Sequence, residues 1–115
     1  MPTVIFYETE NGAIPVKEFL DDLLPKQAQK VAWVLQIVQE KKHPPVQYFK
    51  KLVNTDEIWE ARIQISGDIF RILGFMDTEE IVILTNGFAK KTQKTPQQEI
   101  EIAESRKKDY FARKT

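Results

Sequence analysis

Five cations are the side chains of this 115-residue chain best suited to bind a phosphate group. They are Arg62, Arg71, Lys90, Lys91 and Lys94. Guanidinium and ammonium groups donate charge-assisted hydrogen bonds to phosphate oxygens, and arginine does so in a fixed fork. No acid lies between Glu80 and Glu99 to neutralise the lysines. These residues indicate an anion-binding surface, provided that the fold brings them together.

The charge of the chain is distributed unevenly although its total is zero, with 17 bases and 17 acids. Residues 86–115 contain eight bases and four acids, a net charge of +4, whereas residues 1–25 contain five acids and one base, a net charge of −4. This polarity favours an anionic partner at the basic end. A solvated helix surface is the alternative, in particular for the basic run from Arg106 to Lys108.

The residues that are missing or rare exclude several classes of site. The chain has no cysteine and a single histidine, His43, so disulfides, thiol nucleophiles and cysteine- or histidine-based metal clusters are excluded. We expect no metal and no cofactor, and a loop position for His43. There is no secretory signal pattern and no apolar run near the length of a membrane span. We therefore expect a single domain over residues 1–115 that stays in the cytoplasm and does not bind membranes.

The elements that position the cations follow from hydrophobic periodicity. The pattern predicts a strand over 2–7, helices over 15–24 and 26–42, and strands over 58–65, 68–76 and 80–88. Thr95 is the predicted N-cap of a last helix, with Pro96 at its first helical position. The predicted fold is α+β, with an N-terminal strand and a helical hairpin packed on an antiparallel meander and followed by a C-terminal helix. Trp33 and Trp59 are predicted to lie in its core.

The turns of the meander predict which residues face each other across its strands. A turn at Ser66-Gly67 places Arg62 opposite Arg71 and Glu60 opposite Leu73. A turn around residues 77–80 places Asn86 opposite Arg71 and Phe88 opposite Ile69. Side chains alternate between the faces of a sheet, so one polar face should carry Glu60, Arg62, Arg71, Asn86 and Phe88.

The other face of the meander is predicted to be apolar and covered by the helical hairpin. Its residues are Trp59, Ala61, Ile63, Ile65, Phe70, Ile72, Ile81 and Ile83. The polar face then becomes the candidate anion site. Its alternative interpretation is that each arginine simply pairs with a nearby acid such as Glu60.

Three segments, in this order and at this spacing, resemble the HigB-type branch of the RelE/ParE superfamily of bacterial toxins. They are IWEAR at 58–62, FRILGF at 70–75, and GFAKKTQKTP at 87–96 before a glutamate-rich helix. The resemblance covers nearly the whole chain, and it includes phage-derived HigB-like proteins. It implies a RelE-like fold and a metal-independent endoribonuclease that cleaves mRNA on the ribosome. It also implies a hetero-oligomer with a cognate antitoxin, often a HigA-like helix-turn-helix protein.

The resemblance also implies roles for the cations. Metal-free RNA cleavage requires a base, an acid, and stabilisation of the charge that develops on the phosphorane. Arg62 and Arg71 match the arginines assigned to the phosphorane. Lys90 and Lys91 match a basic motif that binds phosphate or transfers protons. Glu60 is either the base or the ion-pair partner of Arg62.

Further residues are expected to bind RNA. Lys94 is expected to hold RNA backbone and Phe88 to stack on a base. Asn86 shares their face, and Lys107 and Lys108 would add salt-dependent affinity.

The identity of the acid and base stays open, because well-understood superfamily members use a histidine near the C-terminus. Two other functions also remain open. One is a ParE-like protein that inhibits DNA gyrase without cutting nucleic acid, and the other is an inactive protein that only binds its antitoxin. Two facing arginines favour the nuclease.

Overall fold

The computed structural model describes residues 3–78, 80–91 and 94–114, and within them it has the predicted α+β fold. Pro2, the first residue of the predicted N-terminal strand, lies outside the described residues. The elements, in chain order, are β1 (Thr3–Phe6), α1 (Pro15–Asp21), α2 (Pro25–Glu40), β2 (Phe49–Lys51), β3 (Trp59–Ile65), β4 (Asp68–Thr78), β5 (Ile81–Ala89) and α3 (Gln97–Lys114).

The strands form one five-stranded sheet in the order β1-β5-β4-β3-β2. The meander of β3, β4 and β5 is antiparallel, as predicted, and β1 lies parallel to β5 at one edge. At the other edge β2 pairs with β3, where the sequence had predicted only a connecting segment. With three residues, β2 is too short to produce a recognisable alternating pattern.

The predicted register of the first hairpin is confirmed. Arg62 lies opposite Arg71, and Glu60 lies opposite Leu73. The turn residues Ser66 and Gly67 both have positive φ, 49° and 89°. Two consecutive positive φ angles are typical of the type I′ turn, whose twist matches that of the strands it joins.

The predicted register of the second hairpin is wrong by two residues. Phe88 instead of Asn86 lies opposite Arg71, and Asn86 lies opposite Leu73. The pairing of β4 with β5 is irregular at two places, which turn arithmetic does not anticipate. Because side chains alternate with a period of two, a shift of two residues leaves Asn86 and Phe88 on the predicted face.

One of these irregularities is a bulge at Thr85. Leu73 pairs with Asn86 and Gly74 with Leu84, so Thr85 is an extra residue in β5. The Thr85 hydroxyl donates to the carbonyl of Leu73 at 3.1 Å, and Nη1 of Arg106 donates to the Thr85 carbonyl at 2.8 Å. Hydrogen bonds to β4 and from α3 thus hold the bulge in place. Arg106 is thus bonded to β5, and the alternative interpretation of residues 106–108 as a solvated helix surface does not describe it.

The bulge changes which β5 residues face the helical hairpin. Val82 and Leu84 pack on the hairpin side, whereas Ile81 and Ile83 pack on the α3 side. The prediction that Ile81 and Ile83 face the hairpin is therefore wrong. A bulge reverses the alternation of every residue on one side of it, and the apolar pattern alone does not reveal it.

The core consists of two apolar clusters, one on each face of the sheet. On the hairpin face, α1 and α2 cover a cluster that includes Val16, Val31, Val34, Ala61, Ile63 and Ile72. On the α3 face, α3 covers Ile58, Leu73, Phe75, Ile83, Ile100 and Ala103.

The two tryptophans differ in their relation to this core. Trp59 is half-buried and stacks on Phe49, with 4.8 Å between ring centroids. Trp33 is 45% exposed, so its predicted core position is wrong. It is the adjacent Val34 that faces the sheet. None of the described helices has the combination of length and apolar character needed to cross a membrane.

Candidate phosphate-binding site

A buried carboxylate lies at the centre of the predicted site. Glu60 is only 2% exposed, and its Oε1 lies 3.4 Å from Nε of Arg71 and 3.6 Å from Nε of Arg62. Its Oε2 accepts a short hydrogen bond from the hydroxyl of Thr95, just before α3. We call Glu60, Arg62, Arg71, Lys90 and Thr95 the charged end of the α3 face.

The hairpin β3–β4 positions the two arginines. They are directly opposite each other in the register, and Nη1 of Arg71 donates to the carbonyl of Phe70 at 3.0 Å. Like charges opposite each other in a sheet repel, so the pair needs the carboxylate of Glu60 between the two guanidinium groups. One carboxylate balances only one of the two charges. The group therefore keeps a positive charge that suits an anion.

Arg71 is the more deeply buried of the two arginines. It is 7% exposed, whereas the side chain of Arg62 is 32% exposed. Burial lowers the pKa of Arg71, and the charge of Arg62 adds to this, while Glu60 opposes it. Within the described part of the chain, the buried Nε–H groups of both arginines lack a hydrogen-bond acceptor. Buried donors without an acceptor are uncommon in proteins. Here both of them belong to the two guanidinium groups of the charged end.

Lys90 extends this positive charge from the end of β5. Its backbone N–H donates to the carbonyl of Ile69 at 2.7 Å, which continues the β4–β5 pairing beyond Ala89. Burial lowers the pKa of the Lys90 ammonium, and the charges of Arg71 and Arg62 lower it further, while Glu60 opposes them. A lysine with a lowered pKa gives up its proton more readily than a lysine in water does.

Lys50 is a cation near this group that sequence reasoning missed. It lies on β2 directly opposite Glu60, and its charge contributes to lowering the pKa of Lys90. No signal in the sequence singled it out, because β2 itself was not predicted.

The other predicted RNA-binding residues on the sheet lie beneath α3. Asn86 is 5% exposed, and its Nδ2 donates to Oε1 of Glu99 at 3.0 Å and to the Glu99 carbonyl at 3.2 Å. Phe88 is half-buried and packs against the apolar cluster of this face. Asn86 thus fastens the first turn of α3 beside the arginines, and Phe88 supports the sheet there.

The remaining predicted lysines are spread more widely. Lys91 and Lys94 are exposed on either side of residues 92–93, which lie outside the described ranges. Lys108 is exposed on α3. The ammonium of Lys107 donates to the carbonyl of Asp56 at 2.7 Å, in the loop between β2 and β3. This hydrogen bond therefore fastens the side chain of Lys107 to the loop.

Two further predictions concern residues around the site. The last helix begins at Gln97, so Pro96 directly precedes it, and the hydroxyl of the predicted cap Thr95 donates to Glu60. His43 lies in the exposed loop between α2 and β2, as predicted. The described residues contain no group of three or more histidine, aspartate and glutamate side chains arranged to hold a metal ion.

The charged end is thus a cationic group at one end of a covered sheet. Its arginines pair with a carboxylate that accepts a hydrogen bond from Thr95, just before α3. Such preorganised donors stabilise a developing anionic charge better than mobile ones do. The geometry suits a phosphate group, and the charge of Lys90 adds to that of the two arginines.

The chain matches a known protein family over most of its length. Residues 18–108 match the family described as "Phage derived protein Gp49-like (DUF891)". The matched region contains every residue of the charged end. No curated protein matches the chain.

Proposed function

Because the chain belongs to the phage-derived Gp49-like family, within the RelE/HigB-like toxin superfamily, we propose that it is a HigB-type toxin of a type II toxin-antitoxin system. Proteins of this family are often toxin-like members of such systems. Its activity is that of a ribosome-dependent endoribonuclease acting on mRNA. The observation that carries this proposal is the pair of arginines around the buried Glu60, with Lys90 beside it.

The cleavage step uses the ribose 2′-OH as the nucleophile. Its oxygen attacks the adjacent phosphorus, the bond to the 5′-oxygen of the next nucleotide breaks, and the products are a 2′,3′-cyclic phosphate and a 5′-OH. Arg62 and Arg71 stabilise the extra negative charge of the phosphorane. Their positions are set before the substrate binds, so little free energy is needed to reorganise them during the reaction.

Proton transfer is assigned first to Lys90. Its lowered pKa increases the neutral fraction that can accept the 2′-OH proton, and the protonated form can donate to the leaving oxygen. Lys91 follows it in the chain and is exposed, which suits a contact with RNA. The contacts of Glu60 with two arginines and a hydroxyl support a positioning role in place of the role of base.

The remaining contacts are with the ribosome, the mRNA and the antitoxin. Lys94, Lys107 and Lys108 add cationic surface that binds RNA backbone in a salt-dependent manner. Phe88 and Asn86 support the same face. A HigA-like helix-turn-helix antitoxin forms a hetero-oligomer with the chain and blocks this surface in the cytoplasm.

The proposal is tested by inducing the protein in a bacterium and mapping new 5′ ends on translated mRNA, with DNA supercoiling measured in the same cells. Cleavage within translated frames with unchanged supercoiling is the expected result. Altered supercoiling without new 5′ ends would establish a gyrase inhibitor instead. Purified protein should cleave ribosome-bound mRNA much faster than naked RNA, and equal rates would overturn the ribosome-dependent mechanism.

Substitution of Arg71 tests the assignment of the site. Removing one preorganised donor typically lowers the rate about 10²- to 10³-fold, so Arg71→Ala should abolish growth inhibition while antitoxin binding persists. Lys91→Ala should also abolish it. The matched control is Arg113→Ala on α3, whose guanidinium pairs with Asp109. Full toxicity of both Arg71→Ala and Lys91→Ala would show that the site is wrongly assigned.

A further inference from the structure

A cavity of about 300 Å³ opens beside the two arginines at the β2 edge of the sheet. The pairing of β2 with β3 begins at Phe49 and Ala61. The rest of β3, residues 62–65, therefore extends past the first residue of β2, and the cavity lies beside this part of β3. Its lining residues are Lys30, Gln47, Tyr48, Arg62, Ile63, Gln64 and Arg71. Its volume is at the lower end of the range for small-molecule sites, which suits a single nucleotide.

The charges of this cavity point to an anionic ligand. Its three charged lining residues, Lys30, Arg62 and Arg71, are all cations. Arg71 is 7% exposed, and it shares the single carboxylate of Glu60 with Arg62. One carboxylate balances only one of the two guanidinium charges. This end of the cavity therefore suits a phosphate.

The rest of the lining suits a nucleobase. Tyr48 is half-buried, and its ring meets that of Trp33 edge to face, with 5.3 Å between centroids. Its carbonyl accepts the backbone N–H of Arg62 at 2.8 Å, which ties the tyrosine to the arginine strand. Aromatic rings in RNA-binding proteins stack on unpaired bases.

Two glutamines add hydrogen-bonding groups that distinguish one base from another. Gln47 and Gln64 both line the cavity and are exposed at its mouth. A carboxamide carries both donors and an acceptor, so it can pair with the edge of a base. Neither residue belongs to the charged end.

We propose that this cavity binds one ribonucleotide of a single-stranded RNA, with its phosphate at Arg62 and Arg71 and its base against Tyr48, Gln47 and Gln64. This inference rests on the proposed function, because it assigns to the same site the selection of the nucleotide next to the cleaved bond. Lys30 adds positive charge to the cavity from α2, and its Nζ lies 4.3 Å from the ring centroid of Trp33.

Binding is measured by NMR titration of the purified protein with four 2′-O-methyl RNA tetranucleotides, which resist cleavage and differ in one base. Inorganic phosphate and the ribonucleoside monophosphates serve as further probes. We expect the side-chain amide signals of Gln47 and Gln64 to shift, and one base to be preferred. Because a well-placed pair of hydrogen bonds gives roughly tenfold discrimination or more, Gln64→Ala should reduce the preference about tenfold. Gln36→Ala, an exposed glutamine bonded to Glu40 on α2, is the matched control and should keep it.

The outcomes separate this inference from the proposed function. Equal affinity for all four tetranucleotides and no effect of Gln64→Ala would overturn the nucleotide pocket, even if the protein cleaves mRNA. Binding of phosphate alone, without shifts of the glutamine signals, would do the same and leave only an anion site. A clear base preference in a protein that never cleaves mRNA would retain the pocket and reject the nuclease. Mononucleotides that bind as tightly as tetranucleotides would show that the natural ligand is a free nucleotide and overturn the RNA assignment.

Discussion

The two faces of the sheet are covered by helices, yet they differ in what they bury. The hairpin face buries apolar side chains along its whole length, from Ile63 and Phe70 to Val82 and Leu84. The α3 face buries an apolar cluster at one end and the charged end at the other, where Glu60 and Arg71 are almost as inaccessible as the core. One face is thus typical of a stabilising core, and the other combines a core with a group of buried charges.

This difference shows which part of the fold lowers the stability of the protein. Burying two guanidinium groups around one carboxylate is costly in desolvation, and replacing such groups with apolar side chains often stabilises a protein. Among the residues that the structure describes, no buried charged side chain lies on the hairpin face. We infer that the charged end is retained for function, and that the hairpin face supplies stability to offset it.

The largest effect is expected from Glu60→Ala, which leaves both arginines without their carboxylate. Removing one partner of a buried ion pair costs about 3–5 kcal/mol, and we expect about 3 kcal/mol because water can reach Arg62. Urea unfolding followed by circular dichroism measures it. Glu57→Gln, which breaks an exposed pair with Lys51, is the control and should leave the midpoint unchanged. Equal midpoints for the two variants would mean that the charged end is solvated.

A smaller effect is expected from Ile72→Val on the hairpin face. Ile72 is fully buried and adjacent in sequence to Arg71, but its side chain points to the opposite face. Deleting one buried methylene should destabilise the protein by about 1 kcal/mol, as is typical of Ile-to-Val changes. Cleavage should be unchanged, since the side chain of Ile72 packs in the apolar cluster of the hairpin face. A loss of cleavage comparable to that of Arg71→Ala would contradict the division between the faces.

A further effect, which depends on pH, concerns the apolar end of the α3 face. Burial and a hydrogen bond to Asp77 raise the pKa of Tyr110 to about 12, against about 10 in an unfolded chain. A raised pKa gives stability that is complete below pH 10 and is lost as the pH rises toward about 12. The stability difference between the wild type and Tyr110→Phe should therefore shrink between about pH 9 and pH 11.5. A constant difference, measured by urea unfolding at each pH, would show that the phenol is solvated.

Much of the fold could be predicted because its signals are local. The Ser66-Gly67 turn fixes the pairing of Arg62 with Arg71, and the alternation in β3 and β4 separates the polar from the apolar residues. The helices follow from their periodicity and from Pro15 and Pro25 at their first positions.

The rest depends on contacts between residues far apart in sequence. The bulge at Thr85 is held by Arg106 on α3, so nothing near Thr85 in the sequence announces it. Lys50 reaches the site only because β2 pairs with β3, and Trp33 and Val34 are both apolar, so composition cannot decide which of them faces the sheet. The candidate site was predictable as a set of cations, but its central Glu60 to Thr95 contact was not.

That contact sets when the site can form during synthesis. A chain is made from its N-terminus, and Glu60 and Thr95 are 35 residues apart. While β5 and Thr95 are still being added, β1 lacks the strand it pairs with and Glu60 lacks the hydroxyl that it accepts from. The emerging chain therefore lacks a finished cationic surface until Thr95 has been made.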